Sequence, residues 1–365
     1  IMSSDWSSDV CSSDLVTSVI EKDKLSVRII DKQGDVVHKW DIDWFEIWPN
    51  PDHLLDVYVP KIRPGTNIHG IVILENGDII FNFDSLGLVR MNPCGEVIWK
   101  LSYPTHHSVH QDMDGNLWVS SRVYYEKSSP KWTRQRLPFK EPTILQVTPD
   151  GDVLDEIFIS DILMQNDLYG LLYMYEFSVK SANQIDNFHL NDVEPFPANM
   201  ESGFFDHEDI MISLRNINTV IVFNRKTLKV KYYSTGKYIH QHDPDFISGS
   251  EISVYDNFRT PKKSGHQSSR ILIQNARTGD TRVYYKGTEE TPFYSWAMGK
   301  HQWLSNGNLL ITESMRGRAF ELNKNKEIVW EYYNLIKEGV VGEMEEVQRI
   351  PHKYEGIVKD RSICE

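Results

Sequence analysis

The fold is decided by three stretches of this sequence: GIVILENGDIIFNF (70–83), SVHQDMDGNLWVSS (108–121) and QWLSNGNLLITES (302–314). Each has an alternating apolar run, a polar turn ending in Gly-Asp or Gly-Asn, and another alternating run. Asn-Gly and Asp-Gly accept the positive φ that tight turns demand. Each stretch therefore predicts a β-hairpin.

A second hairpin pattern follows the first, with an Asx, Pro, Gly or Lys turn and a closing strand rich in large side chains. Its copies are LVRMNPCGEVIWKL (88–101), ILQVTPDGDVLDEIF (144–158), VIVFNRKTLKVKYY (220–233), ILIQNARTGDTRVYY (271–285) and AFELNKNKEIVWEYY (319–333). One more copy, VRIIDKQGDVVHKW (27–40), has no first hairpin before it. Four strands per repeat are typical of β-propeller blades. Counting second hairpins predicts six blades, around 27–40, 67–101, 106–158, 188–233, 240–285 and 299–333.

The predicted fold class is therefore all-β: a single six-bladed β-propeller of four-stranded blades over residues 16–358, followed by a tail at 359–365. We expect EEVQRIPHKYEGIV (345–358) to supply at least one missing inner strand of the first blade. N- and C-terminal segments would then close the ring and leave no open sheet edge. A weaker alternative is a pair of β-sandwiches.

The inserts between strands predict loops or short helices over one face. The longest are 121–143, 160–187 and 196–208. Within the second, residues 161–177 are apolar enough to form a short helix packed on the rim.

Composition narrows the function classes. The 365 residues are 40% hydrophobic and 12% aromatic, which excludes whole-chain disorder. With 39 Lys+Arg against 52 Asp+Glu, the formal charge is −13 and no basic stripe for nucleic acid is visible. No apolar run reaches the length of a transmembrane helix, and no signal peptide is recognisable.

Residues 1–15, IMSSDWSSDVCSSDL, resemble nothing that follows. DVCSSDL is similar to a translated sequencing adapter, and a disordered Ser/Asp-rich leader is the alternative. We therefore leave these residues out of the predicted domain and expect that a signal or membrane anchor has been lost with the true N-terminus. Without Cys11, the remaining Cys94 and Cys364 predict neither a disulfide framework nor a metal site.

Histidines recur at one place in the repeat. His69, His107, His189 and His242 stand just before an inner strand; in the sixth blade Gly299 has the same place, with His301 two residues further on. Because inner strands line the channel of a propeller, we expect a ring of imidazoles at one mouth. For one such histidine a satisfied surface residue is the simpler interpretation, but packing alone would favour Val or Ile at a repeated position.

Other polar residues accompany these histidines, among them His106, Asn191 and Arg215. Arginine, imidazole and amide donors together suit an oxyanion such as sulfate or phosphate. A histidine among them can act as nucleophile or general acid/base. A three-histidine metal site is the competing interpretation, because His240 and His242 form an HxH pair whose side chains would share one face of a strand. We predict no metal and no cofactor.

The motifs HHSVHQDMDGNLWV, HLNDVE, ISLRNINTVIVFNRKT, QHDPDFISGSEISVYDN and GKHQWLSNGNLLITESMRGRAFELNKNKEIVWEYYN resemble the blades of the bacterial arylsulfotransferase family. The resemblance runs in order from about residue 67 to 350. It implies a six-bladed propeller that moves a sulfuryl group from an aryl sulfate to a phenol without a nucleotide donor, through a sulfated histidine. It also implies a periplasmic or cell-envelope location. The N-terminal β-sandwich domain and the disulfide of some members have no counterpart here.

Carried over by motif, the resemblance gives each residue a role. His242 is the nucleophile, His189 and Asn191 bind sulfate, and Arg215 is the arginine of the S-x-RN segment. His106 and His107 form the pair that protonates the leaving phenolate, with His107 favoured. His69 and His301 complete the expected substrate-binding set; His301 or Gln302 occupies the region of the family's sixth-blade threonine.

The expected partners are a small aryl sulfate and a hydroxyl acceptor, which need not be phenolic. A non-catalytic propeller that binds an anion, glycan or peptide, and a metal-dependent sulfatase or lyase, are the alternatives.

Overall fold

The computed structural model describes the chain except residues 1–12, 22, 128, 133–136, 138, 175–185, 261–266 and 351–365. Its first four-stranded sheet, blade 1, has the strand order β26-β1-β2-β3. The bounds are β1 Ser13–Glu21, β2 Lys24–Asp31, β3 Val36–Ile42 and β26 Met344–Arg349.

Five further antiparallel sheets are each built from four consecutive strands. Blade 2 contains β4 Ile68–Ile73, β5 Ile79–Phe83, β6 Gly87–Met91 and β7 Val97–Leu101. Blade 3 contains β8 His106–Gln111, β9 Leu117–Tyr125, β10 Phe139–Val147 and β11 Val153–Phe158. Blade 4 contains β12 Leu190–Pro195, β13 Asp209–Leu214, β14 Thr219–Asn224 and β15 Val230–Thr235.

The last two blades follow the same plan. Blade 5 contains β16 His242–Phe246, β17 Glu251–Asp256, β18 Arg270–Asn275 and β19 Thr281–Lys286. Blade 6 contains β20 Lys300–Trp303, β21 Leu309–Glu313, β22 Arg318–Leu322 and β23 Ile328–Tyr333. A small ribbon, β24 Leu335–Lys337 and β25 Val340–Val341, follows blade 6. The predicted six-bladed β-propeller of four-stranded sheets is confirmed.

The blades fall into two compact units. Unit 1 combines the chain before Pro104 with the chain from Tyr285 onward and contains blades 1, 2 and 6. Unit 2 is the continuous segment Pro104–Tyr284, with blades 3 and 4 and nearly all of blade 5.

Both ends of the described chain contribute to blade 1. Strand β26 pairs antiparallel with β1, with Asp14 opposite Arg349, so the prediction that 345–358 supplies an inner strand is confirmed. Residues 351–358 of that segment lie outside the described residues. Strand β1 supplies the other missing strand and begins at Ser13, inside the segment that sequence analysis set apart as a leader. Most of that segment, and the tail at 359–365, lie outside the described residues.

The turns explain why the hairpins form where predicted. Gly77 has φ 86° and Gly115 has φ 84°, a region that costs glycine little because it has no Cβ. The amide of Gly77 donates to the carbonyl of Leu74, and Asp78 returns the pairing through its own carbonyl. The Asn-Gly signal in the sequence therefore reports real turn chemistry.

The outermost strand of each blade is its least buried strand. Strand β5 is buried along its whole length, whereas β7 and β19 are mostly exposed or half-buried. The core of unit 2 packs blade 3 against blade 4 through side chains such as Trp118, Ile144 and Ile221. Such apolar burial stabilises a fold by about 25 cal/mol per Å² removed from water.

The helices are few and short in the described part of the chain. α1 is Trp44–Ile47, α2 is Ile159–Gln165 and α3 is Tyr169–Tyr173. The single helix expected over 161–177 is therefore two helices, separated near Asp167, which has φ 56°. Residues 175–177 lie outside the described residues, and 196–208 form a loop. Among the residues described, no helix is long and apolar enough to cross a membrane.

One expectation about cysteine is wrong. Cys94, which sequence analysis left without a partner, is disulfide-bonded. Cys11 and Cys364 lie outside the described residues.

Candidate active site

Unit 2 brings together most of the residues that the sequence singled out, and it does so at the starts of its three inner strands. His106 and His107 open β8, His189 precedes β12 directly, and His242 opens β16. Each strand has a register shift just there, between His106 and Val109 in β8 for example. Bulges of this kind re-aim side chains and are frequent beside active sites.

Three histidines at these starts have left-handed backbone conformations. φ is 57° at His107, 52° at His189 and 57° at His240. This region costs an ordinary residue about 1–2 kcal/mol. Such strain persists where the surrounding structure imposes it, and it clusters at functional sites.

The histidines of blades 3 and 4 contact one another. His106 Nδ1 and His107 Nδ1 are 2.7 Å apart, so one of the two nitrogens carries the hydrogen and the other accepts it. The rings of His107 and His189 meet edge to face, with centroids 4.9 Å apart. The sequence-predicted pair and the first predicted sulfate ligand therefore form one continuous group of imidazoles.

Asp186 holds His189 at two points. The backbone N–H of His189 donates to Oδ1 of Asp186 at 2.8 Å, and its ring Nδ1 donates to Oδ2 at 2.9 Å. Burial raises the pKa of this carboxyl, but His189 and the nearby charge of Arg122 outweigh it and hold the pKa well below its usual range. The ionised carboxylate fixes Nδ1 of His189 as the protonated nitrogen and orients the ring.

Arg215 occupies the first position of a 3₁₀ turn, Arg215–Ile217, that follows β13. Its backbone N–H donates to the carbonyl of His189 at 3.0 Å. Asn218 ends the turn in the left-handed conformation, and its side chain accepts the backbone N–H of His240 at 2.9 Å. The turn therefore links the histidine of blade 4 to the segment that leads into blade 5.

His242 has a defined tautomer. Its Nδ1 lies 3.2 Å from the carbonyl of His240 and 2.7 Å from Oδ1 of Asn257. A backbone carbonyl only accepts, so Nδ1 carries the hydrogen and Nε2 carries the lone pair in the neutral ring. A histidine that attacks an electrophile needs this arrangement.

His240 lies in a cationic environment. Burial, and then the charges of Arg215, Arg259 and His189, lower its pKa to about 4. The imidazole of His240 is therefore neutral at pH 7. Its Nδ1 is buried and without a hydrogen-bond partner among the described atoms.

Asp256 anchors the two segments that carry these groups. Its Oδ1 accepts the backbone N–H of Ile239 at 2.8 Å and that of Phe258 at 3.0 Å. Its Oδ2 accepts from Nε of Arg270 at 2.9 Å. The approach to β16 and the segment after β17 are thus held together beside Asn257 and Arg259.

Asn191, the other predicted sulfate ligand, is nearly fully buried in β12. One hydrogen of its Nδ2 goes to the carbonyl of Gln241 at 2.8 Å. Its Oδ1 is buried without a hydrogen-bond partner among the described atoms.

The remaining predicted residues lie in unit 1. His69 is in β4, with Nε2 3.6 Å from Oε2 of the buried Glu345. His301 is buried in β20. Their expected place in a ring with the other histidines stays a prediction.

The geometric premise for the HxH metal pair is wrong. Strand β16 begins at His242, whereas His240 precedes it with φ 57°, so the two side chains do not share one face of a strand. Nδ1 of His242 is also committed to Asn257.

Sequence reasoning missed four polar residues of this group: Asp186, His240 as an individual group, Asn257 and Arg259. Asp186 stands three residues before His189 in IDNFH, and Asn257 and Arg259 follow the apolar run of β17 in YDNFR. Polar residues at the end of an apolar strand were the available signal.

The fold and site together define the class: a six-bladed β-propeller with histidines at inner-strand starts and with an arginine whose backbone bonds to one of them. Residues 70–335 match the family described as Arylsulfotransferase (ASST). The chain belongs to the arylsulfotransferase family, and its function is arylsulfotransferase-like.

Solved structures add a fold likeness. A protein of unknown function from Bacteroides caccae is 12% identical, with a TM-score of 0.56, over 92% of this chain and 98% of that one. A virginiamycin B lyase from Staphylococcus aureus is 11% identical over 90% of this chain and 86% of that one, with a lower TM-score of 0.45. Comparison with curated proteins finds no match.

Proposed function

We propose that this protein moves a sulfuryl group from an aryl sulfate ester to a hydroxyl acceptor through a covalent intermediate on His242. The observation that carries the proposal is the tautomer of His242: Nδ1 donates to Asn257 and to the carbonyl of His240, which leaves the lone pair on Nε2.

In the first half-reaction the Nε2 lone pair attacks sulfur, and the bond from sulfur to the aryl oxygen breaks. The departing oxygen takes a proton from the pair formed by His106 and His107, whose Nδ1 atoms share one hydrogen and which enters this step with one positive charge. Both rings are then neutral.

In the second half-reaction the acceptor oxygen attacks sulfur, and the N–S bond returns its electrons to Nε2. The acceptor proton passes to the histidine pair and restores it. Because the same groups serve both directions, a phenol can act as leaving group or acceptor.

Charge on the three non-bridging oxygens requires positioned donors, much as phosphoryl transfer does. Arg215 supplies a guanidinium fork, His189 a ring oriented by Asp186, and Asn191 an amide hydrogen. These groups share blades 4 and 5 with His242, joined through the 3₁₀ turn of Arg215. No cofactor enters either step.

The test uses the full chain with 4-nitrophenyl sulfate, with and without a phenol acceptor. We expect nitrophenol release that depends on the acceptor, and without acceptor a burst of about one equivalent. Intact-mass spectrometry of the burst product should show one added sulfuryl group, lost on adding phenol and mapping to the peptide with His242. Acceptor-independent turnover that a chelator stops would favour a metal-dependent sulfatase. Binding of 4-nitrophenyl sulfate without any release of nitrophenol would favour a non-catalytic propeller.

A further inference from the structure

His240 is a group that neither the motifs nor the proposed chemistry uses. It stands two residues before His242, outside the strand, with its backbone fixed on both sides. Asn218 accepts its N–H at 2.9 Å, and its carbonyl accepts from Nδ1 of His242 at 3.2 Å. Its orientation is therefore imposed by the neighbours of the site.

The backbone conformation of His240 is costly for its residue type. With φ 57°, glycine or asparagine would fit at lower free energy, as Asn218 does at φ 51°. The side chain must make a gain in free energy, through a favourable interaction, that offsets this cost. Since Nδ1 is buried without a partner in the described structure, that gain is not an internal hydrogen bond from Nδ1.

A chain of bonds connects His240 to the oxyanion ligands. The turn that begins with Arg215 bonds to the carbonyl of His189 at one end and, through Asn218, to His240 at the other. His189, Arg215 and His240 are therefore joined through the backbone of one 3₁₀ turn.

We propose that His240 is a further ligand of the bound oxyanion, beside Arg215, and that it takes up a proton when the oxyanion binds. This inference rests on the proposed function only in that the site receives a sulfate group.

The charge arrangement supports the proton uptake. Burial, and then the charges of Arg215 and Arg259, oppose a further positive charge and lower the pKa of His240 to about 4. An oxyanion beside these two guanidinium groups offsets their charge and favours the protonated ring. The acidic groups near these segments are already engaged: Asp186 binds His189, and Asp256 binds the Ile239 and Phe258 backbone. These two carboxylates are present with and without the anion, so they do not supply the additional negative charge that the anion brings.

The probe is inorganic sulfate, measured by titration calorimetry in two buffers of different ionisation enthalpy. For the wild type we expect sulfate binding near pH 6 with uptake of about one proton. Binding should weaken as the pH rises toward 8. His240→Gln should lose the proton uptake. It should bind sulfate about tenfold more weakly than the wild type at pH 6, with a smaller difference at pH 8.

His207→Gln is the matched control, because its Nδ1 is also buried without a described partner but its ring packs on Phe196, centroids 5.3 Å apart. It should bind sulfate and take up protons as the wild type does. His240→Asn, which tolerates the left-handed backbone, is the second variant if His240→Gln does not fold.

Undiminished proton uptake in His240→Gln, or wild-type binding without uptake, overturns the inference. The outcome is separate from that of the proposed function. An enzyme that transfers sulfate with normal uptake in His240→Gln would refute the inference alone. A protein that binds sulfate with His240-dependent uptake but forms no covalent intermediate would refute only the proposed mechanism.

Discussion

Gly70 in unit 1 and His107 in unit 2 give their blades a positive φ at neighbouring positions near the start of an inner strand, and they differ in the side chain that they place there. Both lie in a register shift at the start of an inner strand, and both have positive φ, 90° at Gly70 and 57° at His107. Blade 6 of unit 1 likewise uses Gly299, after Met298. Blade 4 has His189, with φ 52°, directly before its inner strand.

The difference separates a geometric need from a chemical one. The backbone must turn at this point of the repeat, and glycine does so without steric cost. Histidine adopts this backbone conformation only with strain, so its presence is explained by its side chain. Unit 2 thereby concentrates imidazoles that contact each other, which is where we locate the chemistry.

The sharpest way to break this comparison is to remove one inner-strand histidine from each unit. His242→Ala should lower acceptor-dependent nitrophenol release by about 10³-fold or more, because no nucleophile remains. His301→Ala, which removes a buried histidine from the inner strand β20 of unit 1, should lower it by less than about tenfold. Circular dichroism and urea unfolding serve as controls that both variants fold. Equal losses would show that the chemistry is not concentrated in unit 2.

The two units also differ in how they are completed, since unit 1 joins both ends of the chain. Arg349 in β26 donates to Asp14 in β1 at 2.6 Å and to Glu321 in β22 at 2.9 Å. Arg349→Met leaves two buried carboxylates without their cation and should lower the free energy of unfolding by about 3 kcal/mol. The exposed pair of Arg282 and Glu251 in blade 5 is the control, at about 0.5 kcal/mol for Arg282→Met. A similar small loss in Arg349→Met would mean that this strand pairing does not hold unit 1 together.

Each unit has a carboxyl beside a histidine, half-buried in Asp186 and buried in Glu345, and the two carboxyls have opposite character. The pKa of Asp186 is held low, whereas burial, Asp84 and Glu343 raise the pKa of Glu345 well above its usual range. Asp186→Asn should therefore lower stability at pH 7 by about 1.5 kcal/mol. Glu345→Gln should raise it at pH 7 by about 1 kcal/mol, because it removes a carboxyl that resists ionisation.

The signs of these two effects are readable from the pH dependence of urea unfolding. A depressed pKa contributes stability above about pH 4 that is lost as the pH falls, so the Asp186→Asn difference should shrink in acid. A raised pKa makes the folded state lose stability as the pH rises above about 4.3, so the Glu345→Gln gain should appear only above that pH. Parallel curves for variant and wild type would contradict the respective assignment.

The smallest effect tests the backbone argument itself. His107→Gly should be more stable than His107→Ala by about 1 kcal/mol, because both lack the ring and only alanine is strained at φ 57°. At Val109, two residues further along the same strand, the order should reverse, with glycine about 0.5–1 kcal/mol worse than alanine. If alanine is better at both positions, strain at His107 is negligible.

Much of the fold was predictable because its signals are local. Asn-Gly and Asp-Gly turns with alternating runs predicted the hairpins, and the position of the blades agreed with the strands found. The C-terminal strand was predictable because blade 1 lacked partners. The helix over 161–177 was only partly correct, since apolar composition did not reveal the break at Asp167.

The site was predictable in its residue types and less so in its partners. Repeated histidines and family motifs pointed to His107, His189, Arg215 and His242. They did not reveal that Asp186 orients His189, or that Asn257 sets the tautomer of His242.

The sequence by itself therefore determined the blades and their number, because turn conformation and strand alternation depend on neighbouring residues, and its motifs indicated the family. The tertiary structure decided which nitrogen of His242 carries the lone pair and which imidazole lies near two guanidinium groups. Those properties depend on contacts such as that between His242 and Asn257, or on the field of Arg215 and Arg259 at His240. Such contacts join residues of different strands, and only the packing of the sheets brings them within hydrogen-bond or Coulomb range.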